Sequence, residues 1–102
     1  MKIKFTIKTN SGKLLLMVGN KHKLELNTGE VIWVATIKAN TFGFGKTWEV
    51  FDVMTGAVIV SFAEKEKTEK DALAKAKEKI NNVLEEQRCF YEDIIRRFYG
   101  NK

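Results

Sequence analysis

The hydrophobic pattern of this chain changes period once, and that change limits the folds open to it. From Lys2 to Lys8 apolar and polar residues alternate strictly, with Ile3, Phe5 and Ile7 on one side and Lys2, Lys4, Thr6 and Lys8 on the other. Such alternation marks a strand with one buried face. Beyond Thr68 the apolar positions Leu73, Ala76, Ile80, Val83, Leu84, Tyr91, Ile94 and Phe98 recur every three or four residues. That is the stripe of a helix. Strands first and helix last give an α+β chain, not an alternating α/β one. At 102 residues it is the length of one domain, with a sheet over 1–63 and a helical region over 68–99.

Between these ends the turn chemistry divides the sheet. Asn10-Ser11-Gly12, Asn27-Thr28-Gly29 and Met54-Thr55-Gly56 read as turns. Leu14–Val18 reads as a strand buried on both sides, ended by Gly19-Asn20, with a further short strand over Lys23–Leu26 that turns Leu24 and Leu26 inward. Glu30–Lys38, rich in β-branched residues and carrying Trp33, is a strand; Ala39–Lys46, with Gly43 and Gly45, is a loop. Thr47–Val53 and Ala57–Ala63 complete the set. Short turns without helical inserts favour an antiparallel meander, so the expected fold is an antiparallel sheet of five or six strands with a C-terminal helix or helix pair on one face.

Thr68-Glu69-Lys70-Asp71 has the form of a capping box, with Asp in place of the usual Glu or Gln. One helix over 68–99 would be about 48 Å long, against a radius of gyration of about 13 Å for a domain of this size. Either it breaks, near Asn81-Asn82 or at Glu85–Arg88, or it projects and needs a partner.

Composition excludes several classes. An apolar content of 44% with 11 aromatic residues is too high for a disordered chain. The single cysteine, Cys89, rules out an intramolecular disulfide framework and a cysteine-rich zinc site. Met1–Asn10 lacks the apolar stretch of a signal peptide. The longest apolar run, Leu14–Val18, is far short of a membrane span, and a soluble cytoplasmic protein is expected.

Catalytic signals are weak. The one histidine, His22, lies between Lys21 and Lys23 in what reads as an exposed loop, with no carboxylate beside it in sequence to orient the ring. Cys89, next to Phe90, reads as a buried, inert thiol. Glu85-Glu86 and Glu92-Asp93 are adjacent pairs that diverge on a helix, unlike an acid/base pair or metal cage. Gly45-Lys46-Thr47 ends as a phosphate-binding loop does, but Asn40 stands where that motif needs its first glycine. The chain is expected to be non-enzymatic, without metal or cofactor.

Charge and aromatic placement point to binding. Residues 1–48 carry eight lysines against only Glu25 and Glu30, whereas residues 49–102 carry ten Lys/Arg against eleven Asp/Glu. If the lysines of the first half converge, they make an electropositive face. Phe42 and Phe44 alternate with glycines between Lys38 and Lys46. They read either as a tip for base stacking or as a lid folded onto the core. At the C-terminus Phe90, Tyr91, Ile94, Ile95, Phe98 and Tyr99 cover about half a helix circumference, a face that suits a protein partner or self-association into a homodimer.

The stretch Trp48-Glu49-Val50-Phe51-Asp52-Val53-Met54-Thr55-Gly56, then a strand, then Thr68-Glu69-Lys70-Asp71-Ala72-Leu73-Ala74-Lys75-Ala76, resembles a pattern of small phage and mobile-element proteins. It is similar to the sheet-plus-helix arm domains of tyrosine recombinases, which read DNA with the sheet; the resemblance spans about a third of the chain and includes no recombinase catalytic region. Phage-encoded inhibitors of bacterial nucleases, anti-CRISPR proteins among them, resemble the chain in size and cofactor-free character. The leading expectation is a nucleic-acid-binding accessory protein that contacts DNA or RNA through Lys2, Lys4, Lys8, Lys21, Lys23, Lys38, Phe42, Phe44 and Lys46. The alternative is a stoichiometric inhibitor of a nucleic-acid-processing enzyme, bound through Phe90, Tyr91, Ile95, Phe98 and Tyr99.

Overall fold

A computed structural model of the chain describes residues 1–8, 11–41 and 45–87. Five strands, β1 (Lys2–Lys8), β2 (Leu14–Glu25), β3 (Val31–Thr41), β4 (Gly45–Asp52) and β5 (Val58–Val60), precede a 3₁₀ turn over Phe62–Glu64 and the helix α1 (Glu69–Gln87). The strands form one sheet in the order β1-β2-β3-β4-β5, every neighbouring pair antiparallel. The meander and the α+β class expected from the pattern are what the chain adopts.

The sheet is strongly curled, and β2 shows why. Its first half, Leu14–Asn20, pairs with β1, and its second half, Asn20–Glu25, pairs with β3. Gly19-Asn20 therefore does not end a strand: Leu14–Val18 and Lys23–Leu26 belong to one continuous strand that exchanges partners in its middle. The exchange needs glycine, since a Cβ on Gly19 would lie 2.7 Å from the Thr36 carbonyl oxygen. Beyond it the β1–β2 ribbon curves back until the Phe5 and Phe51 rings lie 5.4 Å apart, although β1 and β4 are not neighbours in the sheet. At Gly56, in the turn after β4, a Cβ would sit 2.0 Å from the Thr6 carbonyl oxygen, and its φ of 74° is left-handed as well.

Curling gives the sheet an inner and an outer side, each with its own core. Inside, Phe5, Ala35 and Phe51 are buried with Ile3, Ile7, Met17, Ile37 and Val53 around them. Outside, Leu24, Ile32, Val34, Val50 and Ile59 pack against Ala72, Ala76, Ile80 and Leu84 of α1. The helical stripe thus lies on the sheet as its spacing requires. Leu14–Val18 departs from expectation, because Leu14, Leu16 and Val18 are 71, 67 and 52% exposed. Among the described residues only the inner side of this ribbon is covered, and of this run only Met17 joins a core.

Two expected segments change extent. The expected loop over Ala39–Lys46 is mostly strand, since β3 and β4 pair as far as Thr41 with Gly45. The last strand is cut to Val58–Val60 by the turn at Phe62–Glu64, where Lys79 Nζ donates to the Ile59 carbonyl and to Glu64. The helix starts where the cap places it, with the Asp71 amide donating to Thr68 Oγ1 at 3.1 Å. It does not break at Asn81-Asn82: Asn81 Oδ1 accepts the Asn27 amide, and Ile80 and Leu84 are buried on either side, contacts that outweigh the modest helix propensity of asparagine. Residues 88–102, and any break there, lie outside the described residues.

Replacing Gly56 with alanine should cost at least about 3 kcal/mol, the upper end of the overpacking range, because the new methyl group meets backbone. Gly12→Ala, whose Cβ would meet nothing within 4 Å, should cost only about 1–2 kcal/mol of left-handed strain. Urea denaturation of the two variants measures the difference.

Candidate nucleic-acid interface

Successive residues of a strand face opposite sides, and directly paired residues face the same side. The register therefore sorts the expected lysines. Lys2 pairs with Asn20, and Lys4 with Val18; both are exposed on the outer side of the ribbon beside Leu14, Leu16 and Val18. Lys8 pairs with Leu14 in the same ladder, and its side chain lies outside the described residues. Lys38 pairs with Trp48 and Lys46 with Asn40, which places both lysines on the outer side of the β3–β4 hairpin, past the bend at Gly19. The Lys38 ammonium is 5.9 Å from the Trp48 ring centroid.

Lys21 and Lys23 face the inner side instead. Lys21 pairs with Ala35 and Lys23 with Trp33, and the Lys21 ammonium lies 4.3 Å over the Trp33 ring. The seven lysines thus form three groups: the ribbon, the β3–β4 hairpin, and the Trp33 surface. Phe42 and Phe44, and likewise Phe90, Tyr91, Ile95, Phe98 and Tyr99, lie outside the described residues. Trp33 drew attention in the sequence only as a strand former. The signal for more lay in the register, which sets a half-exposed indole directly opposite a lysine.

Where β2 meets the start of α1, a polar cluster replaces the apolar core. Glu69 Oε2 accepts from Thr36 Oγ1 at 2.5 Å, from His22 Nε2 at 2.9 Å and from Asn20 Nδ2 at 3.0 Å. His22 is therefore a strand residue with a carboxylate partner, not a solvated loop residue. Sequence could not reveal this, because the partner stands 47 positions away. The carboxylate as acceptor makes Nε2 the protonated ring nitrogen. The Thr36 hydroxyl does most to stabilise the ionised form of Glu69, and Asn20 and His22 add to it; together they outweigh partial burial and bring its pKa down to about 2. Chemically the cluster is a clamp. It fixes the helix N-terminus to two strands and holds a negative charge where the helix dipole favours one.

Other polar features are less suited to phosphate. Burial pushes the Glu49 carboxyl up from its usual value. An open depression of about 360 Å³ between the β2–β3 turn and α1 is lined by Asn27, Thr28, Asn81, Leu84 and Glu85, whose only charge is negative. Among the described residues no group of three or more His, Cys, Asp and Glu side chains could hold a metal ion, and no helix is long and apolar enough to cross a membrane.

Glu69 also sets a pH dependence. Its folded-state pKa is depressed below the unfolded value of about 4.3, so its contribution to stability is complete above that value and is lost as pH falls through about 2. Glu69→Gln should lower the urea midpoint at neutral pH. Its deficit relative to the parent should narrow steadily between about pH 4 and pH 2, a comparison that cancels the other carboxylates.

Comparison of the chain with protein families, with curated proteins and with solved structures finds no match.

Proposed function

We propose that this is a non-enzymatic nucleic-acid-binding accessory protein, of the phage and mobile-element kind that its sequence resembles, and that the outer side of the β1–β2 ribbon holds phosphates. One observation carries the reading. Residues 1–24 contain six lysines and no carboxylate, and the ribbon built from them turns Lys2 and Lys4 into solvent on one side. Neither β1 nor the stretch of β2 paired with it carries a carboxylate, so the exposed Lys2 and Lys4 form a cationic row that attracts phosphate and steers a polyanion from a distance.

The test is the salt dependence of binding, followed by fluorescence anisotropy on duplex and single-stranded oligonucleotides between about 50 and 200 mM salt. With three to five phosphate contacts, log K should fall with log[salt] at a slope of roughly −3 to −4 on duplex. The double variant Lys2→Glu, Lys4→Glu should weaken binding to all sequences and reduce the slope by about 2. Absence of binding at the low end of that salt range overturns the proposal.

A second reading, the stoichiometric protein inhibitor, draws on Leu14, Leu16 and Val18, an exposed aliphatic row flanked by lysines. Serine at Leu14 and Leu16 separates the two readings. Phosphate contacts survive that change, so nucleic-acid affinity should stay within about threefold, as for surface substitutions worth no more than about 0.5 kcal/mol. A protein interface centred on the row should instead lose about 2 kcal/mol or more.

A further inference from the structure

We infer that Trp33, with Lys21 and Lys23, is a stacking site for an unpaired base of single-stranded nucleic acid; the inference rests on the nucleic-acid reading above and narrows it. Trp33 is 45% exposed, a large flat apolar surface left open on the inner side of the β2–β3 hairpin. Its backbone is held from both sides, by the pairing with Lys23 and by the Val53 amide, which donates to the Trp33 carbonyl at 3.2 Å. The ring therefore stands on a rigid element. Val31, 45% exposed and two residues away on the same side, extends the apolar surface.

The charges around the ring match a strand laid across it. Lys21 places its ammonium 4.3 Å from the ring centroid, and Lys23 is directly opposite in the register. A cation–π contact at an exposed site is weak, so Lys21 can leave the ring for a phosphate as a base takes its place. Glu25, on the same side and paired with Val31, bounds the positive surface. Two cations beside an open indole are the ingredients of single-strand recognition, in which aromatic faces stack the bases and lysines follow the backbone. A duplex offers this surface only base edges and phosphates, because its base faces are already stacked.

The test uses the full chain and an oligothymidylate of about 10 nucleotides. Trp33 and Trp48 are the only indoles, so tryptophan fluorescence should be quenched on titration, and the quenching should disappear in Trp33→Phe while binding persists. Trp33→Ala should weaken binding by roughly 5- to 150-fold, the span of one base–aromatic stack. Lys23→Glu should lower the salt slope by about 0.7, the single-strand increment per contact. Urea midpoints of these variants close to the parent value establish that folding is intact. The inference is overturned if Trp33→Ala binds the oligonucleotide within twofold of the parent, or if polyglutamate, a polyanion without bases, quenches Trp33 equally. Duplex binding that depends on Lys2 and Lys4, with no single-strand quenching, removes this site and leaves the ribbon reading standing. Absence of binding to either form removes both.

Discussion

The exchange of partners within β2 is the constraint on which the rest of this structure depends. A strand that pairs with β1 through Asn20 and with β3 from Asn20 onward must bend, and it bends where Gly19 lets its backbone approach the Thr36 carbonyl. The bend brings Phe5 over Phe51 and closes an inner core that a flat meander of this size would lack. It also leaves the outer side free for α1 to cover around Val34 and Val50, so a chain of 102 residues builds two cores from one sheet. Gly56 is the second half of the same device: the curled ribbon comes to rest against backbone at that turn, where no side chain fits.

The clamp at Glu69 follows from this geometry. Because the first turn of α1 lies over the point where β2 changes partners, it meets Asn20, His22 and Thr36, polar side chains on adjacent strands, instead of an apolar patch. Three donors on one carboxylate oxygen are a stronger tether than an exposed ion pair, since each hydrogen bond to an ionised acceptor is shorter and stronger than a neutral one. They also fix position: Thr36 is buried and Glu69 is the first residue of the helix. The helix is located by polar geometry at its start and by apolar packing along its length.

Much of this fold was legible in the sequence, and what was not shares one cause. Alternation in β1, the turns at Asn27-Thr28-Gly29 and Met54-Thr55-Gly56, the cap at Thr68 and the helical stripe as far as Leu84 are local signals, and each survives in the structure. The continuity of β2 across Gly19-Asn20, the carboxylate partner of His22 and the exposure of Leu14 and Leu16 all depend on which strand lies beside which, information that no short window contains. An apolar run such as Leu14–Val18 reads as doubly buried only if something covers both sides. The lysines show the same limit. Their number was readable, but their grouping is set by strand parity and by the bend, and Trp33 becomes a site candidate only once the register puts Lys23 opposite it.

Parity also accounts for how an exposed aliphatic row is tolerated on an edge. Among the described residues β1 ends the strand order, and the part of its edge that the Gly56 turn does not already meet at Thr6 and Ile7, beside Leu14, Leu16 and Val18, invites pairing with a second chain. The residues that alternate outward on β1 include Lys2 and Lys4, directly across from Asn20 and Val18. A second β1 added antiparallel at this edge would bring its own lysines against them, and like charges on neighbouring strands are destabilising. The cations that suit the ribbon to a polyanion thus also disfavour edge-to-edge association. Reversing Lys2 and Lys4 leaves Lys8 a lysine in the same row, so an antiparallel second β1 centred on Phe5 sets glutamate opposite lysine and the repulsion at the edge gives way to attraction. Loss of binding in the charge-reversed ribbon therefore has to be read beside the oligomeric state of that variant, because the lysines that meet phosphate are the same ones that keep the edge apart.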